Sequence, residues 1–574
     1  MGDHRNTFLA IVLSLVVLIG WQMFFAPNVA PPPADTAATA TESGAPVALD
    51  APATPGSTPP EAPSMAITPA DRAAAVANGD RIEITTEHIE GSIARTGARF
   101  DDITLLSYRE TIDPTSPPID LLSPAGAPKP YYAELGWLSA DAGQPMPTAS
   151  TVWEARGEGP LTETQPLVLS WDNGAGLRFT RTISADKDYM FTVEQTVENY
   201  GGAPVSLYPY ALVARLDIPD TKKFFILHEG PLGVFDGTLK EVDYNDLVEK
   251  NREAVSSTGG WIGITDKYWL TAIAFDPALK VDASFNYAKT GNRDRFQTDL
   301  RGEAITLAPG EVKSVKSFVF AGAKELKLLD GYADNLGISR FDLAIDFGWF
   351  FFLTKPFFYA LIWLHGLLGN YGLAILAFTV FLRLLAFPLA NKQFTAMSKM
   401  KKLQPEMQKL QQKYAEDRQR LSQEMMALYK RENANPLAGC LPILIQIPVF
   451  FALYKTLFVN IEMRHAPFYG WINDLSAPDP TSLFNVFGLL PYDVPSFLMI
   501  GAWPIIMGIT MWLQQKLNPA PADPVQAKVF MFLPFFFTFL LASFPAGLVI
   551  YWAWSNLLGI IQQWVIMRRM GVKA

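Results

Sequence analysis

The chain has 574 residues, with 47 Lys+Arg against 56 Asp+Glu, and is 49% hydrophobic but only 18% charged. That balance excludes an ordinary soluble protein and points to a membrane protein with a water-facing part. A single cysteine, Cys440, excludes an internal disulfide and a thiolate metal cluster. The five histidines (His4, His88, His228, His365 and His465) show no metal-ligand spacing, and no cofactor is expected.

Residues 8–25, FLAIVLSLVVLIGWQMFF, form an apolar run. Signal-peptide h-regions span only about 7–15 residues, so the run is predicted as an uncleaved transmembrane anchor over 1–26. A cleaved signal is the rival reading, because Asn28-Val29-Ala30 ends in small residues. The Pro-, Ala- and Thr-rich stretch 27–79 has too little apolar area to offset ordering entropy and is predicted as a disordered linker.

Residues 80–340 change character. RIEITTEHIEGSIAR alternates apolar and polar positions, and LRFTRTISADKDYMFTVEQTVEN (177–199) reads as two strands around ADKD. PLVLSW, YWLTAIAF and VKSVKSFVFA repeat the pattern, so an all-β sandwich is expected. Over 27–342 there are 27 Lys+Arg and 44 Asp+Glu, a net of −17, which argues against nucleic acid as a substrate.

The next segment, 341–370, is aromatic-rich but interrupted by Lys355-Pro356, the composition of an interfacial amphipathic helix. A transmembrane span is its alternative. Further spans are expected at about 371–389, 441–459, 496–513, 529–544 and 546–567. The last two form one apolar run that as a single helix would extend about 58 Å, against a hydrocarbon core of about 30 Å. The break is placed at FPAG (544–547). Thus 371–389 holds the second transmembrane helix, and 438–574 holds the third to sixth plus a short basic tail.

Loop charge sets the expected orientation. Residues 391–437 carry ten Lys+Arg and five Asp+Glu, whereas 460–495 carry one and four. The positive-inside rule makes the basic loop and both termini cytoplasmic and the β-domain extracytoplasmic. Helix-forming, heptad-like sequence over 390–437 predicts a cytoplasmic helical hairpin. Met397, Met400, Met407, Met425 and Met426 either offer an adaptable apolar surface or pack the two helices together. The basic side chains, Lys401 and Lys402 among them, face either anionic lipid or a ribosome and its nascent chain.

Arg383 stands in the apolar run TVFLRLLAFP. A charge at bilayer depth costs about 2.5–3.5 kcal/mol on insertion scales, so it must be compensated or used. It lies about 9 Å along the helix from the cytoplasmic end at Leu389, near enough to snorkel. Alternatively, Thr379, Gln446, Thr510, Gln514, Gln515, Ser555, Asn556, Gln562 and Gln563 supply a polar cavity around it. None of the five later spans has a mid-depth carboxylate, which disfavours an ion-coupled transporter or channel.

Four segments, MSKMKKLQPEMQKLQQKY, RLSQEMMALYK, NPLAGCLPILIQIPVFFALY and FPAGLVIYWAWSNLLGIIQQ, occur in order within 340–570. They resemble the YidC/Oxa/Alb family of membrane-protein insertases. The resemblance implies an integral membrane protein of the bacterial inner membrane. Its α-helical core would have five transmembrane helices, preceded by an N-terminal anchor and a periplasmic all-β supersandwich without established catalysis. Arg383 matches the family's groove arginine, Thr379 a substrate-contacting residue, and Gln446 a groove-facing element. Tyr551-Trp552 stands where the family has a Tyr-Tyr pair; both rings have a packing alternative. The implied function is non-enzymatic insertion and folding of nascent membrane proteins, alone or with the Sec translocon. The implied partners are nascent membrane proteins, the ribosome, SecYEG, SecDF and the lipid bilayer. An assembly scaffold without insertion activity, or a sugar-modifying enzyme in the β-domain, are the other readings.

Overall fold

The structure, a computed structural model, describes residues 71–571 apart from 78, 158, 220–226, 415–416, 433–440, 493, 496–497 and 519–523. The expected anchor and nearly all of the linker lie outside the described residues. Two compact units emerge, divided between Asp346 and Phe347.

The first unit is built of antiparallel strands, as the period-2 pattern predicts. A ten-stranded sheet runs through Tyr131–Ser139, Val205–Leu216, Arg293–Gly302 and Lys280–Thr290. A nine-stranded sheet runs through Trp269–Phe275, Val312–Ala323, Met190–Asn199 and Leu177–Ala185. The two strands expected over 177–199 do pair, from Leu177↔Asn199 to Ala185↔Phe191. Asp186 closes their turn by accepting from the Asp188 and Met190 amides. Alternate side chains of both sheets meet in the core: Phe100 lies 5.2 Å from Phe191, and Phe235 lies 6.1 Å from Phe285.

Both ends of this unit differ from the expected 80–340. Arg72–Ala77, within the expected linker, is a short helix. Arg72 donates to Asp102 Oδ1 at 2.7 Å and to the Leu122 carbonyl at 3.2 Å, which ties it to the sheet. At the other end, Phe341 packs its ring on Trp261 and Phe320, so the turn Phe341–Ala344 belongs to the β core.

The second unit is helical: α1 (Phe351–Leu368), α2 (Tyr371–Leu385), α3 (Phe387–Lys413), α4 (Arg418–Arg431), α5 (Leu441–Val459), α6 (Ala502–Leu517), α7 (Pro524–Leu541) and α8 (Ala546–Arg569). α1 runs unbroken through Pro356, which sits in its second turn. Among the described residues α1 is the one helix that by itself is long and apolar enough to cross a membrane. The second predicted span ends sooner than residue 389. α2 stops at Leu385 and the chain bends by 69° into α3, where Pro388 occupies the first turn and has no amide to continue the ladder.

α6 begins at Ala502, later than the expected 496. Asp479 accepts the Trp503 amide at 2.9 Å and Thr481 Oγ1 accepts that of Ala502 at 3.0 Å, so a preceding loop caps the helix at this point. The α7–α8 break falls beside the expected FPAG, with Pro545 preceding α8. α6 and α7 approach closely where Gly508 meets Thr538; a Cβ there would lie 2.0 Å from the hydroxyl. Apolar side chains of α7, including Phe532, Phe535 and Phe536, remain exposed, the pattern of a helix facing lipid.

Candidate functional site: a polar layer between apolar helices

Arg383 is in the last turn of α2, where a cation meets the negative end of the helix dipole. Its Nη2 donates to the Ser555 carbonyl at 2.7 Å and to Ser555 Oγ at 2.9 Å, on α8. Among the described residues no carboxylate lies within ion-pair distance of it. Gly559, one turn beyond Ser555, leaves the room: a Cβ there would stand 3.1 Å from Gln514 Nε2 and 3.4 Å from Arg383. Without that side chain the guanidinium and the Gln514 amide share the space between α2, α6 and α8.

Neutral polar groups extend the layer. Asn556 Nδ2 donates to Thr510 Oγ1 at 3.3 Å, and Gln563 Nε2 to Asn518 Oδ1 at 3.1 Å. Gln562 Nε2 and Gln563 Oε1 are buried with no hydrogen-bond partner among the described residues. Unmet donors and acceptors in such a layer are where water or a polar peptide gains most, because burying them bare is costly.

The expected contact residues do not all meet there. Thr379 is buried, and its Oγ1 donates to the Ile375 carbonyl at 2.7 Å within its own helix. Tyr551 is buried and reaches the same Ser555. Tyr551 therefore backs the layer through Ser555, whereas the Thr379 hydroxyl is used within α2. Trp552 is half-buried in an aromatic cluster, 4.9 Å from Phe450 and 5.6 Å from Phe537, which is the packing alternative for that ring. Gln446 is exposed on α5. Sequence reasoning missed Gly559. Its signal was present: Ser555 and Gly559 are four apart, a pair of small residues on one helix face.

The hairpin divides its methionines. Met407 and Met425 are buried with Leu403 and Leu428, and Met400 packs against them. Met397 packs on Ala390, Phe394 and Ile566, joining α3 to α8. Only Met426, at 60% exposure, presents an open thioether, so of these methionines it alone fits the adaptable-surface reading. Lys402 Nζ donates to the Met570 carbonyl at 2.6 Å at the end of α8, whereas Lys401 is half-buried. Arg431 and Glu406 bridge the hairpin at 2.9 Å.

An all-β unit and a set of apolar helices that hold a cation among themselves by neutral groups define an integral membrane protein with a polar interior layer. Residues 81–360 match the family model described as the YidC periplasmic domain, and residues 363–573 match that of the 60Kd inner membrane protein. Among relatives, the membrane protein insertase YidC of Methylobacterium nodulans is 50% identical, covering 100% of this chain and 96% of its own. That of Bradyrhizobium diazoefficiens is 49% identical over 100% and 97%. A solved structure of an active YidC insertase is 18% identical, covers 84% of this chain and 91% of its own, and has a TM-score of 0.35. The chain belongs to the YidC family of membrane protein insertases; it is an inner membrane protein with a periplasmic domain.

Proposed function

We propose that this insertase receives the polar flank of a nascent membrane protein in the layer around Arg383, while the substrate's apolar segment leaves into lipid beside it. The observation that carries this reading is the pairing of Arg383: Ser555 holds it through a carbonyl and a hydroxyl, and the neutral Gln514 amide stands beside it. A cation so held keeps its attraction for an incoming acidic side chain, because no resident carboxylate must first be displaced. A wet, polar layer shortens the apolar barrier that the flank must cross. Transfer of the apolar segment into lipid then supplies the driving force.

In the full reading, the anchor 1–26 and five later spans place both termini in the cytoplasm. α1, although long enough to span, lies at the interface with Trp349, Phe352 and Trp363 exposed. The α3–α4 hairpin meets the ribosome and the emerging chain, with Lys401 and Lys402 on it and Met426 as its open apolar contact. The Sec translocon, through SecYEG and SecDF, shares part of the substrate load. The protein acts without covalent chemistry.

The test combines substitution and photo-crosslinking. Arg383→Ala is expected to slow insertion of a substrate with an acidic flank by about tenfold, the scale of one lost charge-assisted hydrogen bond. A neutral-flank substrate should lose much less. Photoreactive probes at Gln446, Gln514 and Trp552 should capture a ribosome-stalled substrate, and one at Phe536 should not. Equal losses for both substrates, together with no capture at any of the three positions, would overturn the reading.

A further inference from the structure

The connection between α5 and α6 contains a stretch that water does not explain. Residues 480–492, PTSLFNVFGLLPY, have no charged side chain. Leu483, Phe484, Phe487, Leu489, Leu490 and Tyr492 are each 44–81% exposed. A compact loop in water ordinarily folds such side chains over one another. Here the backbone is folded while the apolar side chains stay open; Tyr492 turns its hydroxyl back to the Phe484 carbonyl. The Phe487 amide donates to the Ser482 carbonyl at 2.7 Å, and Asn485 Oδ1 accepts the Gly488 amide at 3.0 Å. Ser482 Oγ reaches the Leu498 carbonyl at 3.2 Å, closing the loop at its base.

The turn is also strained. Val486 and Phe487 have φ of 53° and 57°, a left-handed conformation that is a genuine outlier for a β-branched or bulky side chain. Such a conformation persists only when its surroundings impose it. Three of the connection's four carboxylates, those among the described residues, are by contrast bonded into its body. Asp479 accepts from Trp471 Nε1, from Thr481 and from the Trp503 amide. Asp474 accepts from the His465 and Ser476 amides. Glu462 is bonded by the Tyr371 hydroxyl. These three charges are thus held within the connection, and residues 480–492 carry none.

We propose that residues 483–492 form a lipid anchor, seated in the headgroup–acyl boundary of the leaflet on the α5–α6 side. This rests on the membrane reading of the helical unit. The occupant is lipid because the loop leaves and rejoins apolar helices, at Val459 and Ala502, and so starts and ends at the bilayer face. Tyr469 and Trp471, 61% and 42% exposed near its base, add the amphipathic rings that favour this depth. Residues 483–492 themselves offer an acidic or basic partner no charge to pair with.

The test is depth-dependent quenching in the full chain, reconstituted in phosphatidylethanolamine–phosphatidylglycerol vesicles. In a Cys440→Ser background, single cysteines at Leu489, at Phe536 on α7 and at Lys187 in the β-unit carry an NBD fluorophore. The label at Leu489 should be quenched more by doxyl groups at lipid carbon 5 than at carbon 12, and resist aqueous iodide at least threefold better than that at Lys187. Leu490→Cys repeats the measurement should Leu489→Cys fail to fold. Quenching by iodide at Leu489, with Phe536 still quenched by lipid, overturns the anchor and leaves the membrane reading intact. Shielding of Leu489 from both quenchers, with a crosslink to another protein, assigns the loop to a protein partner and also overturns it. If Phe536 is not quenched by lipid, the membrane reading falls and the anchor with it.

Discussion

Two arginines, one in each unit, show how differently the chain handles a buried cation. Arg181 lies between the β-sheets, 1% exposed, donating to the Ala98 carbonyl at 2.9 Å and the Leu135 carbonyl at 2.5 Å, with its guanidinium 4.7 Å from the Trp153 ring. Arg383 likewise takes a carbonyl and no carboxylate, but it is only half-buried and shares its space with the Gln514 amide. Around Arg181 the β-unit uses ion pairs freely, such as Arg99–Glu134 at 2.6 Å and Arg215–Asp266 at 2.7 Å. A sealed cation fixes a core. One left partly open beside neutral polar groups remains available to a visitor.

The largest effect that would sharpen this contrast comes from breaking a β-unit pair. Glu134→Ala strands the Arg99 guanidinium and should cost about 3–5 kcal/mol, read by urea unfolding of the full chain. Replacing both, Arg99→Met with Glu134→Leu, should restore much of that loss. If Glu134→Ala costs nothing, the pair is not what holds that face.

Next comes the hairpin. Met407→Ala or Met425→Ala should loosen it by about 2–3 kcal/mol, seen as faster amide exchange in α3 and α4. Met426→Ala should stay within about 0.5 kcal/mol while weakening nascent-chain capture. Equal exchange in all three variants would return Met426 to a packing role.

A smaller effect is expected at Ser555. Removing its hydroxyl leaves Arg383 the carbonyl, so Ser555→Ala should lower helical-unit stability by about 1–2 kcal/mol in a thermal melt. A loss as large as that of Glu134→Ala would make Arg383 a structural cation like Arg181.

The smallest is a pH effect in the β-unit. Burial pushes the Asp299 carboxyl up to about 6, despite bonds from Gln297 and Ser284 and the charges of Arg252 and Arg295. Its folded pKa exceeds the unfolded value, so the folded chain binds the extra proton. Its contribution to stability therefore rises as pH falls from 7 to 5, by about 1 kcal/mol. Asp299→Asn should flatten that slope in a denaturant titration; an unchanged slope would assign it to another group.

Much of this was legible in the residues. The strands of 177–199, the helical hairpin and the isolation of Arg383 follow from local periodicity and from the absence of neighbouring carboxylates. The fates of individual contact residues were not legible. Thr379 shares a face with Arg383 by spacing, yet its hydroxyl turns to its own helix. Met425 and Met426 are adjacent and have opposite exposures, which only the position of α3 against α4 decides.

The sequence by itself determined where this protein alternates with period two and where with period 3.6, which stretches are apolar, and that a cation stands in one of them. These are local properties, set by side-chain chemistry along a few turns of chain. Only the tertiary structure decided that Ser555, 172 residues away, holds Arg383, and that Gly559 leaves the space beside it. It also decided that Asp479 begins α6 from outside the helix. Such partners are chosen by packing between distant elements, and no local pattern encodes which neutral group will arrive beside a buried charge.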